Sequence, residues 1–371
     1  MSGTIRALTM PKWGLSMKEG KVAQWLASEG ATLSPGNELL EVETEKIANV
    51  VEAPEAGVLR RIVAQPGDVL PVGALLGVIA DAAGSDAEIE AFIAKFQAEF
   101  VPPEDTGEEA GPSTQTVEVK GRTIRYMKKG DGGTPLIFIH GFGGDLNNWL
   151  FNHDAVAAGR AAYALDLPGH GQSSKQVGNG NLGEFAQLLH DFMDALGIVK
   201  AHLVGHSMGG GIALAFALEH PTRVASLSLI APSGLGPEIN GDYINGFIAA
   251  TGRRDLKPHL ETLFANAELV SRQMINDMLA YKRLDGVDAA LRQVRDKTFP
   301  NGRQSTVLKD RLGTLKMPIQ LIWGAQDQVV PPSQADGLPG SIKVTKLANA
   351  GHMPQMEAAS EVNKLIEAIL K

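Results

Sequence analysis

The first 80 residues contain an internal repeat, and this repeat constrains the fold more than any other feature of the sequence. A shift of 37 positions brings similar residues into register: Gly20 with Gly57, Val22 with Leu59, Trp25 with Ile62, Gly30 with Gly67, Leu33 with Leu70, Gly36 with Gly73, Leu39 with Leu76 and Val42 with Ile79. Such a repeat indicates two similar units that pack against each other. Lys46 lies in the connection between them, and we predict that a tight turn presents it. A lysine presented in this way is a candidate attachment point for a mobile covalent cofactor.

Residues 1–80 are predicted to be all-β. Short runs with strand-like composition, such as residues 22–26 and 38–43, are separated by Gly, Pro and Asn. Glycines at the predicted turns adopt positive φ angles at little cost, which other residues do not. We therefore predict two four-stranded halves that close into a flattened barrel or sandwich.

Residues 81–118 have a different composition, with one basic and ten acidic side chains. Helical spacing predicts a short amphipathic helix from Ala87 to Phe100, whose apolar face comprises Ile89, Phe92, Ile93, Phe96 and Phe100. Residues 101–112 are rich in Pro, Gly and acidic residues, which is typical of an extended linker. The helix is expected either to pack on its own domain or to bind a partner, and the sequence leaves both alternatives open.

Residues 119–371 alternate predicted strands with predicted helices, which is typical of an α/β fold. Several short runs are predominantly apolar, as expected for a parallel sheet that is buried on both faces; they lie at 135–139, 201–204, 225–230 and 318–323. Such sheets bind ligands beyond the carboxyl ends of their strands. Residues from about 235 to 312 interrupt the alternation with helix-like segments, which we interpret as a helical cap over the site.

The pentapeptide Gly205-His206-Ser207-Met208-Gly209 matches Gly-x-Ser-x-Gly directly after a predicted strand and before a predicted helix. This context is that of a nucleophile elbow, in which glycines permit a sharp turn that exposes the serine hydroxyl. The helix N-terminus favours the negative charge that develops there. Serine between glycines also occurs in ordinary loops, but in this context we predict that Ser207 is a nucleophile.

A nucleophilic serine needs a base and a group that orients the base. In this architecture they follow in the chain order serine, acid, histidine. Asp327 comes just after a predicted strand, and His352 lies on a predicted turn before the last helix. Taken singly, Asp327 could cap a turn and His352 could be a surface histidine. Taken in order with Ser207, they predict a catalytic triad.

The glycine-rich segment His140-Gly141-Phe142-Gly143-Gly144 follows the first apolar strand. We predict that the backbone amides of Phe142 and Met208 form an oxyanion hole; the alternative for this segment is a simple tight turn. His170 and His206 are predicted to support the site, and a catalytic role is the less favoured alternative for both. The remaining histidines lack paired metal-ligand spacing, so no metal is expected.

Composition excludes some functions and argues against others. The chain has 371 residues and no cysteine, so it can form neither a disulfide nor a thiolate metal site nor a cysteine nucleophile. No apolar stretch reaches the roughly 18–20 residues of a membrane span, and the N-terminus lacks the pattern of a signal peptide. No basic patch indicates nucleic acid. We therefore expect a cytoplasmic protein that binds neither membranes nor nucleic acids.

Residues 1–80 resemble a lipoyl domain of the 2-oxo acid dehydrogenase type. Besides the repeat, the matching segments are Pro11-Lys12-Trp13-Gly14, Met17-Lys18-Glu19-Gly20 and Glu43-Thr44-Glu45-Lys46. The resemblance implies that lipoate is attached covalently to Lys46. A biotinyl domain is similar but usually has methionine on both sides of the lysine, so the neighbours Glu45 and Ile47 favour lipoate.

Residues from about 119 to 371 resemble α/β-hydrolases through the His140-Gly141 dipeptide, the Ser207 turn, Asp327 and His352. The fusion of the two domains is similar to the E2 components, or dihydrolipoamide acetyltransferases, of acetoin dehydrogenase complexes. This resemblance implies that an acetyl group passes from the lipoyl group to coenzyme A. It also implies a thiamine-diphosphate-dependent E1 and a dihydrolipoamide dehydrogenase E3 as partners. The sequence leaves open whether the chain forms a homo-oligomer.

Ordinary E2 chains carry a small subunit-binding domain and a trimer-forming acyltransferase domain, and neither is recognisable here. Two other functions remain open from the sequence. One is a thioesterase or carboxylesterase fused to a lipoyl or biotinyl carrier domain. The other is a lipoyl carrier whose hydrolase-like domain is an inactive scaffold, although the complete set of Ser207, Asp327 and His352 argues against it.

Overall fold

The chain forms two compact units, Met1–Gly111 and Pro112–Lys371, each with its own hydrophobic core. The structure is a computed structural model that describes residues 5–11, 19–43, 48–81, 85–101 and 114–370. Within these ranges, no helix has both the length and the apolar character needed to traverse a lipid bilayer.

The first unit contains eight described strands in two four-stranded antiparallel sheets. The strands are β1 (Ile5–Thr9), β2 (Glu19–Trp25), β3 (Thr32–Leu33), β4 (Glu38–Glu43), β5 (Ala48–Glu52), β6 (Gly57–Ile62), β7 (Val69–Pro71) and β8 (Leu75–Ala80). The sheet orders are β1-β8-β6-β3 and β5-β4-β2-β7. Because the repeat relates β2, β3 and β4 to β6, β7 and β8, the two sheets are equivalent, and the predicted pair of four-stranded halves is confirmed.

Residues that the repeat relates have equivalent environments. Val22 and Leu59 are both 0% exposed and belong to the same core between the sheets. Gly36 and Gly73 have nearly identical φ angles of 85° and 84°, which non-glycine residues rarely adopt. The spacing of apolar residues and glycines therefore determines both the core and the turns of this unit.

The predicted attachment segment lies between two paired strands. Glu43 at the end of β4 faces Ala48 at the start of β5 in the antiparallel register, so the chain reverses direction between them. Lys46 lies in this interval, outside the described residues, and its presentation stays a prediction.

Helix α1 (Asp86–Glu99) corresponds to the helix predicted from the apolar spacing. Ser85 caps its N-terminus in a reciprocal capping box with Glu88. Ile89 and Ile93 pack against strand β8 of the same unit. The helix therefore packs on its own unit, which is one of the two alternatives that the sequence left open.

The second unit contains an eight-stranded, mostly parallel sheet. Its strands are β9 (Thr114–Val119), β10 (Arg122–Lys129), β11 (Leu136–Ile139), β12 (Ala162–Leu165), β13 (Ala201–His206), β14 (Val224–Ile230), β15 (Ile319–Gly324) and β16 (Lys343–Leu347). The order is β16-β15-β14-β13-β11-β12-β10-β9, and only the β9–β10 and β10–β12 pairs are antiparallel. The predicted parallel sheet is confirmed, whereas residues 114–118 of β9 belong to the segment 81–118 that the sequence patterns separated from the α/β domain.

Helices cover both faces of this sheet, and four further helices lie between β14 and β15 in the sequence. The flanking helices are α2 (His153–Val156), α3 (Leu182–Ala195), α4 (Met208–Glu219), α9 (Pro354–Glu357) and α10 (Ala359–Ile369). Between β14 and β15 lie α5 (Gly241–Ala249), α6 (Arg253–Glu261), α7 (Arg272–Lys282) and α8 (Val287–Thr298), in the interval interpreted as a cap.

Strand β11 is apolar throughout because both of its faces are buried. In β11, Ile137 and Ile139 belong to the core that includes α3 and α4. The alternate residues Leu136 and Phe138 belong to the core on the α10 side. Successive side chains of a strand point to opposite faces, so the uninterrupted apolar run is a direct consequence of the two layers of helices.

Candidate active site

Ser207 occupies a strained turn between the end of β13 and the start of α4. Its φ and ψ angles are 53° and −120°, an unfavourable region for a residue with a side chain. A Cβ on Gly205 would lie 2.4 Å from the Gly209 carbonyl oxygen, and a Cβ on Gly209 would lie 2.1 Å from the Ile139 carbonyl oxygen. Only glycine fits at either position, so the two glycines of the motif make the sharp turn sterically feasible.

The structure brings the three predicted triad residues together. His352 Nδ1 lies 2.8 Å from Asp327 Oδ2, and His352 Nε2 lies 2.9 Å from Ser207 Oγ. A carboxylate only accepts hydrogen bonds, so Nδ1–H is the donor to Asp327, which leaves Nε2 to accept a hydrogen bond from the Ser207 hydroxyl. All three residues are buried. This arrangement can remove a proton from a serine hydroxyl and return it to a leaving group.

Asp327 is fixed by donors besides His352. Its Oδ1 accepts the backbone N–H groups of Val329 and Val330, at 2.8 and 3.0 Å. Its Oδ2 also accepts the indole N–H of Trp323 at 3.0 Å. Four donors hold one carboxylate, which fixes its orientation. No motif in the sequence indicates the contribution of Trp323.

His206 supports the position of His352, in line with the supporting role predicted for it. Its Nε2–H donates to the His352 carbonyl oxygen at 2.7 Å, and the two ring centroids are 4.8 Å apart. Its buried Nδ1 has no hydrogen-bond partner. Burial holds the pKa of His206 well below its usual value, so the ring is a neutral donor. The His352 backbone N–H in turn donates to the Leu263 carbonyl oxygen at 2.8 Å, which connects the base to the segment after α6.

The two amides assigned to the oxyanion hole are free to bind a ligand. Within the described residues, the backbone N–H groups of Phe142 and Met208 donate no hydrogen bond. A Cβ on Gly141 would lie 3.0 Å from Ser207 Cβ, so the glycine-rich segment runs directly beside the serine. Unpaired N–H groups next to a nucleophile are what an oxyanion requires.

Two further buried histidines hold the loops around the serine. His140 Nδ1–H donates to the Gly141 carbonyl oxygen at 2.7 Å, and His140 Nε2 accepts the Leu167 N–H at 3.0 Å. Burial lowers the pKa of His140 to about 4 and that of His170 to about 3. His170 Nδ1–H donates to the Pro168 carbonyl oxygen at 3.0 Å. Both rings are therefore neutral scaffold groups.

A mostly apolar cavity lies at Ser207 and His352, and it includes Phe142 and other residues of the glycine-rich segment. Helices of the cap interval provide much of its remaining lining through Tyr243, Ile244, Phe247, Leu260 and Met278. Apolar walls exclude water and strengthen electrostatic interactions at the serine.

One group in the described part of the chain has metal-ligand geometry. His190, Asp191 and Asp194 each provide a ligand atom, and these atoms lie within 4.8 Å of one another. Arg223 donates to Asp194 at 2.9 Å and lies 3.3 Å from His190 Nε2. The guanidinium already supplies a cation there, where it forms an ion pair with Asp194 of α3.

Family models match both units. The model described as "alpha/beta hydrolase fold" matches residues 134–359, and the model described as "Biotin-requiring enzyme", which covers biotinyl and lipoyl domains, matches residues 6–79. A solved structure of a membrane phospholipase A has a TM-score of 0.62 and 28% identity, covering 70% of this chain and 85% of that chain. The fold and the arrangement around Ser207 thus define an α/β-hydrolase joined to a biotinyl- or lipoyl-type domain.

Two relatives are similar over the full length. The "dihydrolipoyllysine-residue acetyltransferase component of acetoin cleaving system" of Pseudomonas putida is 51% identical over 368 residues, 99% of each chain. Its counterpart of the same name in Cupriavidus necator is 50% identical over 368 residues, 99% of this chain and 98% of that protein. The chain belongs to this family of acetoin-system acetyltransferase components.

Proposed function

We propose that this chain transfers an acetyl group from a lipoyl group on Lys46 to the thiol of coenzyme A. The observation that carries the proposal is a serine–histidine–aspartate arrangement on the same chain as a lipoyl-type domain. The full-length relatives, which are named as acetyltransferase components of acetoin cleaving systems, support it.

Lipoate in amide linkage to Lys46 would supply a thiol that carries the acetyl group as a thioester. The antiparallel pairing of β4 with β5, between which Lys46 lies in the sequence, fits an attachment site between two neighbouring strands. The neighbours Glu45 and Ile47 favour lipoate over biotin. Because the linker sequence joins both functions in one chain, the acetyl donor has a high effective concentration at the serine.

In the first half-reaction, Ser207 Oγ attacks the carbonyl carbon of the acetyl thioester while His352 Nε2 accepts the hydroxyl proton. The amides of Phe142 and Met208 stabilise the oxyanion of the tetrahedral intermediate. The carbon–sulfur bond then breaks, and His352 returns the proton to the leaving sulfur. The products are a free thiol and acetyl-Ser207.

In the second half-reaction, His352 Nε2 accepts the proton of the coenzyme A thiol, and the sulfur attacks the acetyl carbon of acetyl-Ser207. The ester bond breaks, and His352 protonates Ser207 Oγ. Asp327 accepts the hydrogen bond of His352 Nδ1–H and stabilises the imidazolium that forms twice per cycle. The apolar cavity favours this route because it limits competing attack by water.

We further propose that the chain works with a thiamine-diphosphate-dependent E1, which would load the acetyl group, and with a dihydrolipoamide dehydrogenase E3, which would reoxidise the dithiol. The relatives' description as components of an acetoin cleaving system supports such an assembly. Cytoplasmic location and self-association stay predictions from the sequence.

Product analysis tests the proposal. Full-length chain carrying acetyl-dihydrolipoyl on Lys46 is mixed with coenzyme A, and acetyl-CoA and acetate are both quantified. We expect acetyl-CoA as the main product, and intact-mass analysis should show the lipoyl adduct lost in the Lys46→Arg variant. That variant should still transfer acetyl from free acetyl-dihydrolipoamide. Acetate without acetyl-CoA would establish the thioesterase alternative instead.

A further inference from the structure

We propose that Lys282 is a positioning residue that holds Phe247 over the active-site cavity and thereby favours attack by a thiol over attack by water. This inference rests on the proposed acetyl transfer and assigns a residue that controls its outcome.

Lys282 connects the end of α7 to the end of α5. Its Nζ donates to the carbonyl oxygens of Phe247 and of Ile248, the latter at 3.1 Å. The last carbonyls of a helix lack intrahelical partners, and a cation there is favourable. The same ammonium lies 4.8 Å from the centroid of the Phe247 ring, within the range of a cation–π contact. One charge therefore binds both the backbone and the side chain of Phe247.

Phe247 also contacts the predicted oxyanion segment. Its ring centroid lies 6.1 Å from that of Phe142 in an edge-to-face arrangement. A Cβ on Gly143 would lie 2.7 Å from the Phe247 ring, so the ring rests directly on the glycine backbone. Phe247 lines the cavity together with Ser207. Its position therefore affects both the oxyanion amides and the access of water to the serine.

The environment of Lys282 suits an ammonium used for positioning. The side chain is half-buried, and burial lowers its pKa to about 8, so it remains mostly protonated at pH 7. Partial desolvation strengthens a cation–π contact. Lys257 on α6 offers a matched control, because it is exposed and contacts Glu261 one helical turn away on the same helix.

The test compares Lys282→Met with Lys257→Met in the full-length lipoylated chain. Methionine keeps an apolar stem but removes the charge and the donors. For Lys282→Met we expect the ratio of acetate to acetyl-CoA to rise about fivefold, as the loss of a partly buried cation–π contact would allow. Lys282→Arg keeps the cation and should stay near wild type, and Lys257→Met should leave the ratio unchanged.

A second readout separates failure of this inference from failure of the proposed function. After a pulse of nitrophenyl acetate without thiol, the decay of acetyl-Ser207 in water should be faster in Lys282→Met even if wild type released only acetate. Phe247→Leu provides a second variant and should accelerate the same decay. Thermal unfolding identifies the variants that fold. Wild-type decay in any folded Lys282→Met or Phe247→Leu protein overturns the inference.

Discussion

Replacing Asp327 by asparagine provides a quantitative test of the triad geometry. The carboxylate accepts four hydrogen bonds, whereas one amide oxygen faces only half of these donors. If that oxygen keeps the Val329 and Val330 N–H groups, the amide N–H₂ faces His352 and Trp323. Trp323 retains a second acceptor, the Val330 carbonyl oxygen at 3.2 Å, so only the histidine contact is lost outright. We expect a loss of about 1.5–3 kcal/mol in the free energy of unfolding.

The effect of Asp327→Asn on turnover should be much larger. An amide N–H₂ facing His352 Nδ1 favours the tautomer with the proton on Nε2, which cannot accept the proton of Ser207. We expect acetyl transfer to fall by about 10³–10⁴-fold, as for other triads with this tautomer error. Urea unfolding measures the stability change, and single-turnover acetylation of Ser207 measures the activity. A variant within tenfold of wild-type activity would refute the assigned role of Asp327.

Three further predictions follow from the site. His206→Leu removes the donor to the His352 carbonyl oxygen and should lower kcat about tenfold, with little change in KM. His206→Gln should restore part of this loss. An unchanged kcat in His206→Leu would contradict the positioning role of His206. Acidification from pH 6 towards 4 should lower the free energy of unfolding by up to about 1.4 kcal/mol per pH unit for each of His140 and His170. The reason is that burial depresses both pKa values in the folded protein, so the unfolded chain binds a proton at a higher pH than the folded chain does. Urea titrations that show no dependence on pH in this window would exclude neutral buried rings. Gly209→Ala should lower the free energy of unfolding by about 3 kcal/mol, because the new Cβ would overlap the Ile139 carbonyl oxygen. A thermal unfolding midpoint equal to that of the wild type would contradict the lack of space at the turn.

Local sequence patterns predicted those parts of the molecule that depend on local chemistry. Gly36 and Gly73 mark equivalent turns because positive φ angles are costly for other residues. The glycines beside Ser207 identify the elbow because no side chain fits there. In both cases, one backbone requirement restricts the residue type at a fixed position, so the pattern is visible in a single sequence.

Other features depend on contacts between distant segments and had no local signature. Strand β9 lies at the edge of the sheet and is mostly polar, and among its residues only Val119 is buried. Its composition therefore did not distinguish it from a linker. The donation from Trp323 to Asp327 and the contact of Lys282 with Phe247 arise from the packing of loops and helices. No spacing rule predicts which lysine meets the end of another helix.

A single-turnover chase tests the central claim most directly. The full-length chain, carrying a labelled acetyl group on the lipoyl arm at Lys46, is mixed with coenzyme A and quenched at increasing times, and the label is located by mass spectrometry. We predict that the label appears transiently on Ser207 before it appears in acetyl-CoA, and that Ser207→Ala abolishes transfer. Transfer to coenzyme A at the wild-type rate in Ser207→Ala would contradict the account and leave His352 as a base for direct thiol attack.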